Sequence, residues 1–125
     1  MLIRNREYAQ RIKDFSGLRF GKISPTDIDG FLDFGDRLFV FIETKFGNSP
    51  MPYGQGLALQ RLCDATQSET RESILLVASY DIEGDIDIAE TVVKQYRHRG
   101  RWFDSPDMSV RDVIEIFINK YLGEN

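Results

Sequence analysis

The chain has 125 residues, of which 42% are hydrophobic, and its 16 basic and 20 acidic side chains give a net charge of −4. This size predicts one compact domain over residues 1–125, and the acidic balance excludes a basic nucleic-acid coat or a polybasic membrane binder. The single cysteine, Cys63, excludes an internal disulfide and a multi-cysteine zinc site. With no apolar leader and no run of ~18 apolar residues, the sequence predicts a cytoplasmic protein that does not enter membranes.

The first half of the chain predicts a helix followed by three strands. Apolar residues at helical spacing predict an amphipathic helix over residues 3–15. Residues 18–23 alternate in polarity between turn-forming residues, which predicts a short strand. Residues 28–34 and 38–46 flank a Gly-Asp dipeptide and predict a β-hairpin. The second arm is apolar on both faces, as expected of a central strand covered on both sides.

The second half predicts two further helices separated by strands. Residues 53–66 carry a helical apolar face that includes Cys63, which we expect to be a core residue without chemistry. Residues 73–80 predict a buried strand. A capping box formed by Ser109 and Asp112 predicts a last amphipathic helix, packed on the sheet. The fold class is therefore α/β, with an αβββαβ order over residues 1–80 and an additional C-terminal helix.

The segment from residue 81 to residue 104 has a weaker pattern. Residues 81–87 are acidic but lack the glycine and glutamate of an EF-hand loop, so they predict a solvated loop that leads into an edge strand. Two short strands are expected around residues 91–96 and 101–103, joined by a turn at Arg99-Gly100.

Four ionisable residues of the hairpin stand out because they interrupt strands that should be largely buried. Asp27 and Asp29 share one face of the first arm, and Glu43 and Lys45 share one face of the second. A strict two-residue loop would place Asp29 and Glu43 on opposite faces. A three-residue loop or a bulge pairs Asp29 with Glu43 and Asp27 with Lys45, and it separates charged from apolar residues far better, so we adopt this register.

Carboxylates that converge beside a lysine can bind Mg²⁺ or Mn²⁺, and such a metal lowers the pKa of a bound water that attacks phosphorus. The ammonium of Lys45 could orient that water or balance charge on the phosphate. The alternative for Glu43 and Lys45 is an incidental ion pair on a solvated strand face.

The run Ser24-Pro25-Thr26-Asp27-Ile28-Asp29-Gly30, followed by Phe41-Ile42-Glu43-Thr44-Lys45, resembles the PD-(D/E)xK nuclease superfamily, which includes restriction endonucleases, Holliday-junction resolvases and virus-type replication-repair nucleases. The αβββαβ order is similar to that family's core. The resemblance implies a restriction-endonuclease-like mixed sheet flanked by helices, and a metal-dependent nuclease that acts on DNA in replication, repair, recombination or defence.

The resemblance also implies individual roles. Glu43 and Lys45 match the family's acidic residue and lysine, and Asp29 best matches its metal-binding aspartate, with Asp27 in reserve. Gln55, at the start of the helix that follows, matches an additional glutamine that some members have. Glu7 matches a glutamate that some members contribute from the first helix. For Gln55 the alternative is an ordinary surface residue.

The densest basic cluster lies late in the chain, interleaved with Tyr96 and Trp102. Its members proposed to bind DNA are Lys94, Arg97, Arg99 and Arg101. We expect them to flank the acidic pocket, and the alternative is a charged edge strand that resists aggregation. We also expect a homodimer or larger even oligomer, because each strand of a duplex needs a catalytic site. The alternative function is a catalytically silent nuclease fold that serves as a nucleic-acid-binding or assembly module.

Overall fold

The computed structural model describes residues 14–47 and 53–123, with side chains in the second range described from residue 56 onward. These residues form a five-stranded mixed sheet in the order β1-β2-β3-β4-β5, in which β2 and β3 are parallel and the other neighbours antiparallel. The strands are β1 (Gly30–Asp33), β2 (Leu38–Phe46), β3 (Glu72–Tyr80), β4 (Val92–His98) and β5 (Arg101–Ser109), and the α-helices are α1 (Tyr53–Thr66) and α2 (Val110–Tyr121). The fold is therefore α/β, as predicted.

The hairpin β1–β2 has the predicted register over the residues that pair, but β1 begins at Gly30, so the predicted pairs of Asp29 with Glu43 and of Asp27 with Lys45 are not part of the ladder. Gly30 lies opposite Ile42, and Leu32 lies opposite Val40. The N–H of Phe34 donates to the carbonyl of Leu38 at 2.9 Å, so three residues form the connection. Its middle residue, Asp36, has a φ of 65°, a left-handed conformation that aspartate tolerates better than most residues. The prediction of a three-residue loop is confirmed.

Helices cover both faces of the sheet, as predicted. On one face, Val40 and Ile42 of β2 pack in a core cluster with Val113 and Phe117 of α2. On the other face, Phe41 of β2 packs with three residues from α1 and β3, namely Leu59, Cys63 and Leu75. Successive residues of β2 therefore contact opposite helices, which explains why this strand is apolar on both sides.

Cys63 is a core residue, as predicted. Its side chain is fully buried, and its Sγ lies 3.4 Å from the carbonyl oxygen of Ser73. Burial raises the pKa of the thiol to about 12. The nucleophilic thiolate is therefore not formed near neutral pH.

The strand predicted over residues 18–23 is wrong. Ser16–Leu18 is a short 3-10 helix, and Phe20 and Ile23 form an isolated antiparallel bridge. Gly21, with a φ of 66°, turns the chain back on itself between them. The alternation of apolar residues therefore belongs to a tight turn, and the side chains of Phe20 and Ile23 are 68% and 71% exposed.

Most of the predicted first helix, with Glu7, lies outside the described residues, and its last two residues, 14 and 15, are not helical. The αβββαβ order is consequently seen only in part: the hairpin, α1 and the parallel strand β3 follow one another as predicted. The last helix begins as the capping box indicates, since the Oγ of Ser109 accepts a hydrogen bond from the N–H of Asp112 at 3.1 Å.

The end of the sheet differs from the prediction. The acidic loop leads into β4, but β4 is paired on both sides, so it is not an edge strand. The outer strand is β5, which extends to Ser109 rather than residue 103 and includes Pro106. An edge strand can accommodate proline because only one side of its backbone is paired. The predicted turn is confirmed, with Arg99 and Gly100 both at positive φ.

Within the described ranges, neither α-helix is long and apolar enough to cross a membrane.

Candidate metal and phosphate cleft

One cleft brings together the four ionisable hairpin residues. Asp27, Asp29, Glu43 and Lys45 all line a cavity of about 790 Å³, between the segment that precedes β1, the C-terminal half of β2, and the face of α1 that carries Leu57, Ala58 and Arg61. The register of the hairpin and the alternation along β2 direct Glu43 and Lys45 to the side of the sheet that α1 covers. The predicted convergence of these side chains is therefore present in the structure.

Glu43 and Lys45 form a close ion pair. The Nζ of Lys45 lies 2.7 Å from Oε2 of Glu43. The side chain of Lys45 is 18% exposed, and that of Glu43 is 2% exposed. They are two residues apart on one strand, so both project from the same face. Because a buried carboxylate is costly without a compensating charge, Lys45 stabilises the ionised form of Glu43 while its own partly exposed ammonium still reaches the cleft.

Asp29 is held by the strand opposite it. Its Oδ2 accepts hydrogen bonds from the backbone N–H of Thr44 at 2.7 Å and from the Thr44 hydroxyl at 2.8 Å. These bonds fix the carboxylate beside the residue that separates Glu43 from Lys45. The expectation that all four ionisable residues are buried is wrong for Asp27 and Asp29, which are exposed, because both precede the start of β1 and lie on the open side of the cleft.

The donor set fits a hard divalent cation with few protein ligands. Within residues 14–47 and 53–123, no three His, Cys, Asp or Glu side chains come together as a metal-binding group. Mg²⁺ does not require such a cage, since it usually keeps several waters and binds through one or two carboxylates and the phosphates of its substrate. Asp29 and Glu43 supply carboxylates of this kind in one cleft.

Gln55 is the third residue of α1, at the predicted start of the helix, but its side chain and Glu7 lie outside the described residues.

Comparison of the chain with protein-family models, with curated proteins and with solved structures gives no match.

The structure adds two cations to the cleft that the sequence did not reveal. Lys22, at the tip of the turn between Phe20 and Ile23, lines one wall, and Arg61 of α1 lines another. Arg61 follows Leu57 by one helical turn and so shares the side of α1 that the structure shows facing the cleft. Lys22 belongs to the segment wrongly predicted as a strand, so no signal in the sequence indicated its position.

The basic segment of residues 94–101 does not flank the cleft. Arg97 lies opposite Leu75 and Trp102, and Arg101 lies opposite His98, towards the end of the sheet where β2 and β3 begin. Lys94 lines a different cavity, formed by Gly47, the end of β3, the start of β4 and residues of the loop between these two strands. The predicted position is wrong because β4 is separated from β2 by the whole of β3.

Two arginines of this segment are also paired with carboxylates within the protein. Arg97 donates from Nε and Nη2 to the two carboxylate oxygens of Asp64, at 2.9 and 2.8 Å. Arg99 forms a similar bidentate pair with Glu72, donating from Nε to Oε1 at 3.2 Å and from Nη2 to Oε2 at 2.8 Å. These pairs tie the β4–β5 end of the sheet to α1 and to the start of β3.

Glu72 is the acceptor at the centre of a polar cluster. It receives hydrogen bonds from Arg99 and from Nε2 of Gln67, and its Oε1 lies 2.6 Å from Nε2 of the buried His98. Burial acts to raise the pKa of Glu72, but the hydrogen bonds from Arg99, Gln67 and His98, together with the charge of Arg99, outweigh it and lower the pKa to about 2.

This lowered pKa predicts an acid-dependent loss of stability. Because Glu72 is more acidic in the folded protein than its ordinary value of 4.5, its contribution is fully present above that value and is lost as the pH falls towards about 2. We expect the melting temperature, followed by circular dichroism, to depend less on pH over this range in Glu72→Gln than in the wild type. Glu69→Gln, which removes an exposed loop carboxylate, is the control. Equal pH dependence in Glu72→Gln and the wild type would contradict the assignment.

Proposed function

We propose that this protein is a metal-dependent nuclease that hydrolyses phosphodiester bonds in DNA. The observation that carries the proposal is the meeting of Asp29, Glu43 and Lys45 in one cleft, at the C-terminal half of a central strand. A carboxylate pair beside an ammonium group provides ligands for a divalent cation and a positive charge for a phosphate.

The order of elements around the cleft supports the same proposal. The hairpin β1–β2 is followed by α1, which crosses over to the parallel strand β3. The resemblance to the PD-(D/E)xK superfamily implies the order αβββαβ. The elements β1, β2, α1 and β3 correspond to its last four members, ββαβ. Glu43 and Lys45 lie on β2, and Asp29 lies just before β1, which supports the roles that the resemblance implies for them.

Each residue has a distinct role in the proposed reaction. Asp29 and Glu43 would hold Mg²⁺ or Mn²⁺, with Asp27 as the alternative to Asp29, and Gln55 would position water or metal. The bound cation would supply an acidified water and would polarise the phosphate. The ammonium of Lys45, which already contacts Glu43, would orient the attacking water or balance the charge that builds up on the phosphate.

A second candidate is a nuclease-like fold that binds nucleic acid without cleaving it. The 2.7 Å ion pair between Lys45 and Glu43 favours this alternative, because it engages one oxygen of a carboxylate that the metal would need. In an active enzyme, the incoming cation must share Glu43 with Lys45. In a silent module, the pair simply stabilises a central strand.

The proposal includes assembly. Two copies related by a twofold axis would present one cleft to each strand of a duplex, so we propose a homodimer or a larger even oligomer, acting on DNA in the cytoplasm.

One assay separates the two candidates. The folded protein is incubated with plasmid, linear, branched and single-stranded DNA, each with Mg²⁺, Mn²⁺ or EDTA, and the products are resolved on gels. We expect cleavage of at least one substrate with Mg²⁺ or Mn²⁺ and none with EDTA. Intact DNA in every reaction would reject the nuclease and support the silent module.

A further inference from the structure

Among the described residues, three acidic and three cationic side chains line the cleft. Asp27, Asp29 and Glu43 line it together with Lys22, Lys45 and Arg61. The ammonium of Lys45 already contacts Glu43, so Lys22 and Arg61 are the further cations that the described lining contributes. Without them this lining would be more acidic, in a chain whose net charge is already −4, and it would repel a polyanion more strongly.

Lys22 and Arg61 differ from three arginines near the sheet in what they contact. Arg71 pairs with Asp36 at 2.6 Å, Arg97 with Asp64 at 2.8 Å, and Arg99 with Glu72 at 2.8 Å. Within the described part of the chain, neither Lys22 nor Arg61 forms an ion pair with a carboxylate. Both are exposed, so their charges are available to a ligand.

Their positions place the two charges on different walls of the cleft. Lys22 is at the tip of a turn closed by two backbone hydrogen bonds between Phe20 and Ile23, at 2.8 and 3.0 Å. Arg61 projects from α1, whose opposite face is anchored in the core through Leu59 and Cys63. Two cations carried on separate elements, in a cleft that carboxylates also line, suit an extended polyanion better than a single small anion.

We infer that Lys22 and Arg61 bind backbone phosphates of the DNA strand and hold that strand across Asp29 and Glu43. The inference rests on the proposed function for the identity of the polyanion. It replaces the basic segment of residues 94–101 as the phosphate-binding surface of the cleft. Arginine can contact a phosphate through two N–H groups, and lysine provides a point charge.

Fluorescence anisotropy with a short labelled DNA duplex and a matching single strand tests this inference, first in EDTA and then in Ca²⁺. The double variant Lys22→Ala/Arg61→Ala should lose the counterion release of two phosphates, which weakens duplex binding about 60-fold at 0.1 M salt. The slope of log K against log salt should also become shallower by about 1.8. The charge-preserving variant Lys22→Arg/Arg61→Lys should retain most of the affinity.

The matched control is Arg37→Ala/Lys120→Ala, which removes the same charge from exposed positions that do not line the cleft. Melting temperatures show whether each variant is folded. The inference is overturned if the wild type does not bind DNA in either buffer, if the cleft variant binds as tightly as the wild type, or if the control weakens binding as much as the cleft variant.

Cleavage is measured separately, with Mg²⁺ and saturating DNA, so the two proposals can fail independently. If Lys22→Ala/Arg61→Ala loses DNA binding and the wild type does not cleave DNA, the result supports phosphate binding by Lys22 and Arg61 and rejects the nuclease. If the wild type cleaves DNA and the double variant binds it as tightly as the wild type, the result rejects only the phosphate-binding role of these two residues.

Discussion

Asp29→Asn and Glu43→Gln should each lower the rate of metal-dependent DNA cleavage by about 100- to 1000-fold, the size of effect that follows loss of one preorganised electrostatic group. A neutral amide oxygen is a much weaker ligand for Mg²⁺ than a carboxylate oxygen. The substitution at position 29 is close to isosteric, and an amide oxygen can still accept the two hydrogen bonds that Thr44 donates. The loss should therefore reflect the metal rather than the fold.

The measurement is the single-turnover rate on the best substrate, recorded over a range of Mg²⁺ concentrations. Asp85→Asn, in the exposed acidic loop, is the matched control and should cleave at the wild-type rate. Asp27→Asn tests the reserve ligand. If Asp27→Asn abolishes cleavage while Asp29→Asn does not, the assignment of Asp29 is wrong, although both aspartates line the cleft.

The hairpin was predictable because its physical constraints agree with one another. A three-residue connection or a bulge puts the charged residues on one face and the apolar residues on the other, and the structure shows this register with a three-residue connection. The bounds of β2 and α1 also follow from periodicity, since both elements pack against a core and must keep one apolar pattern throughout. The predicted spans 38–46 and 53–66 are those that the structure shows.

Two parts of the chain, residues 18–23 and the outer strand β5, were not predicted correctly because their conformation depends on neighbours distant in sequence. Residues 18–23 have the alternation of a strand, but Gly21 closes a turn instead. Asp104, Ser105 and Pro106 have the composition of a loop, yet they belong to β5, because an edge strand needs pairing on one side only.

In the cleft too, residues that are close in sequence could be predicted, and residues brought together by tertiary structure could not. Asp29, Glu43 and Lys45 were found because their spacing is local to one hairpin. Lys22 and Arg61 come from elements on either side of that hairpin, so their approach depends on tertiary structure. The basic segment was misplaced for the corresponding reason: a dense run of cations in the sequence does not show which of them already pair with carboxylates elsewhere in the fold.

Lys45→Met should lower the free energy of unfolding by about 3–5 kcal/mol, the usual cost of removing one partner from a buried ion pair. The carboxylate of Glu43 is 2% exposed and lies 2.7 Å from the Lys45 ammonium, so the variant leaves a buried charge without this compensation. Methionine retains most of the apolar stem of lysine, so the change in packing is small. Urea denaturation at neutral pH measures the effect.

The double variant Glu43→Gln/Lys45→Met completes the test, because it removes both charges at once. Replacement of a whole buried pair by neutral side chains is often nearly neutral, so the double variant should recover most of the stability lost by Lys45→Met. The coupling energy from this cycle measures how strongly the ion pair holds Glu43. If Lys45→Met unfolds within about 1 kcal/mol of the wild type, the pair contributes little to the fold. Lys45 would then be free to leave Glu43 when a cation binds, which removes the main physical argument for the silent module.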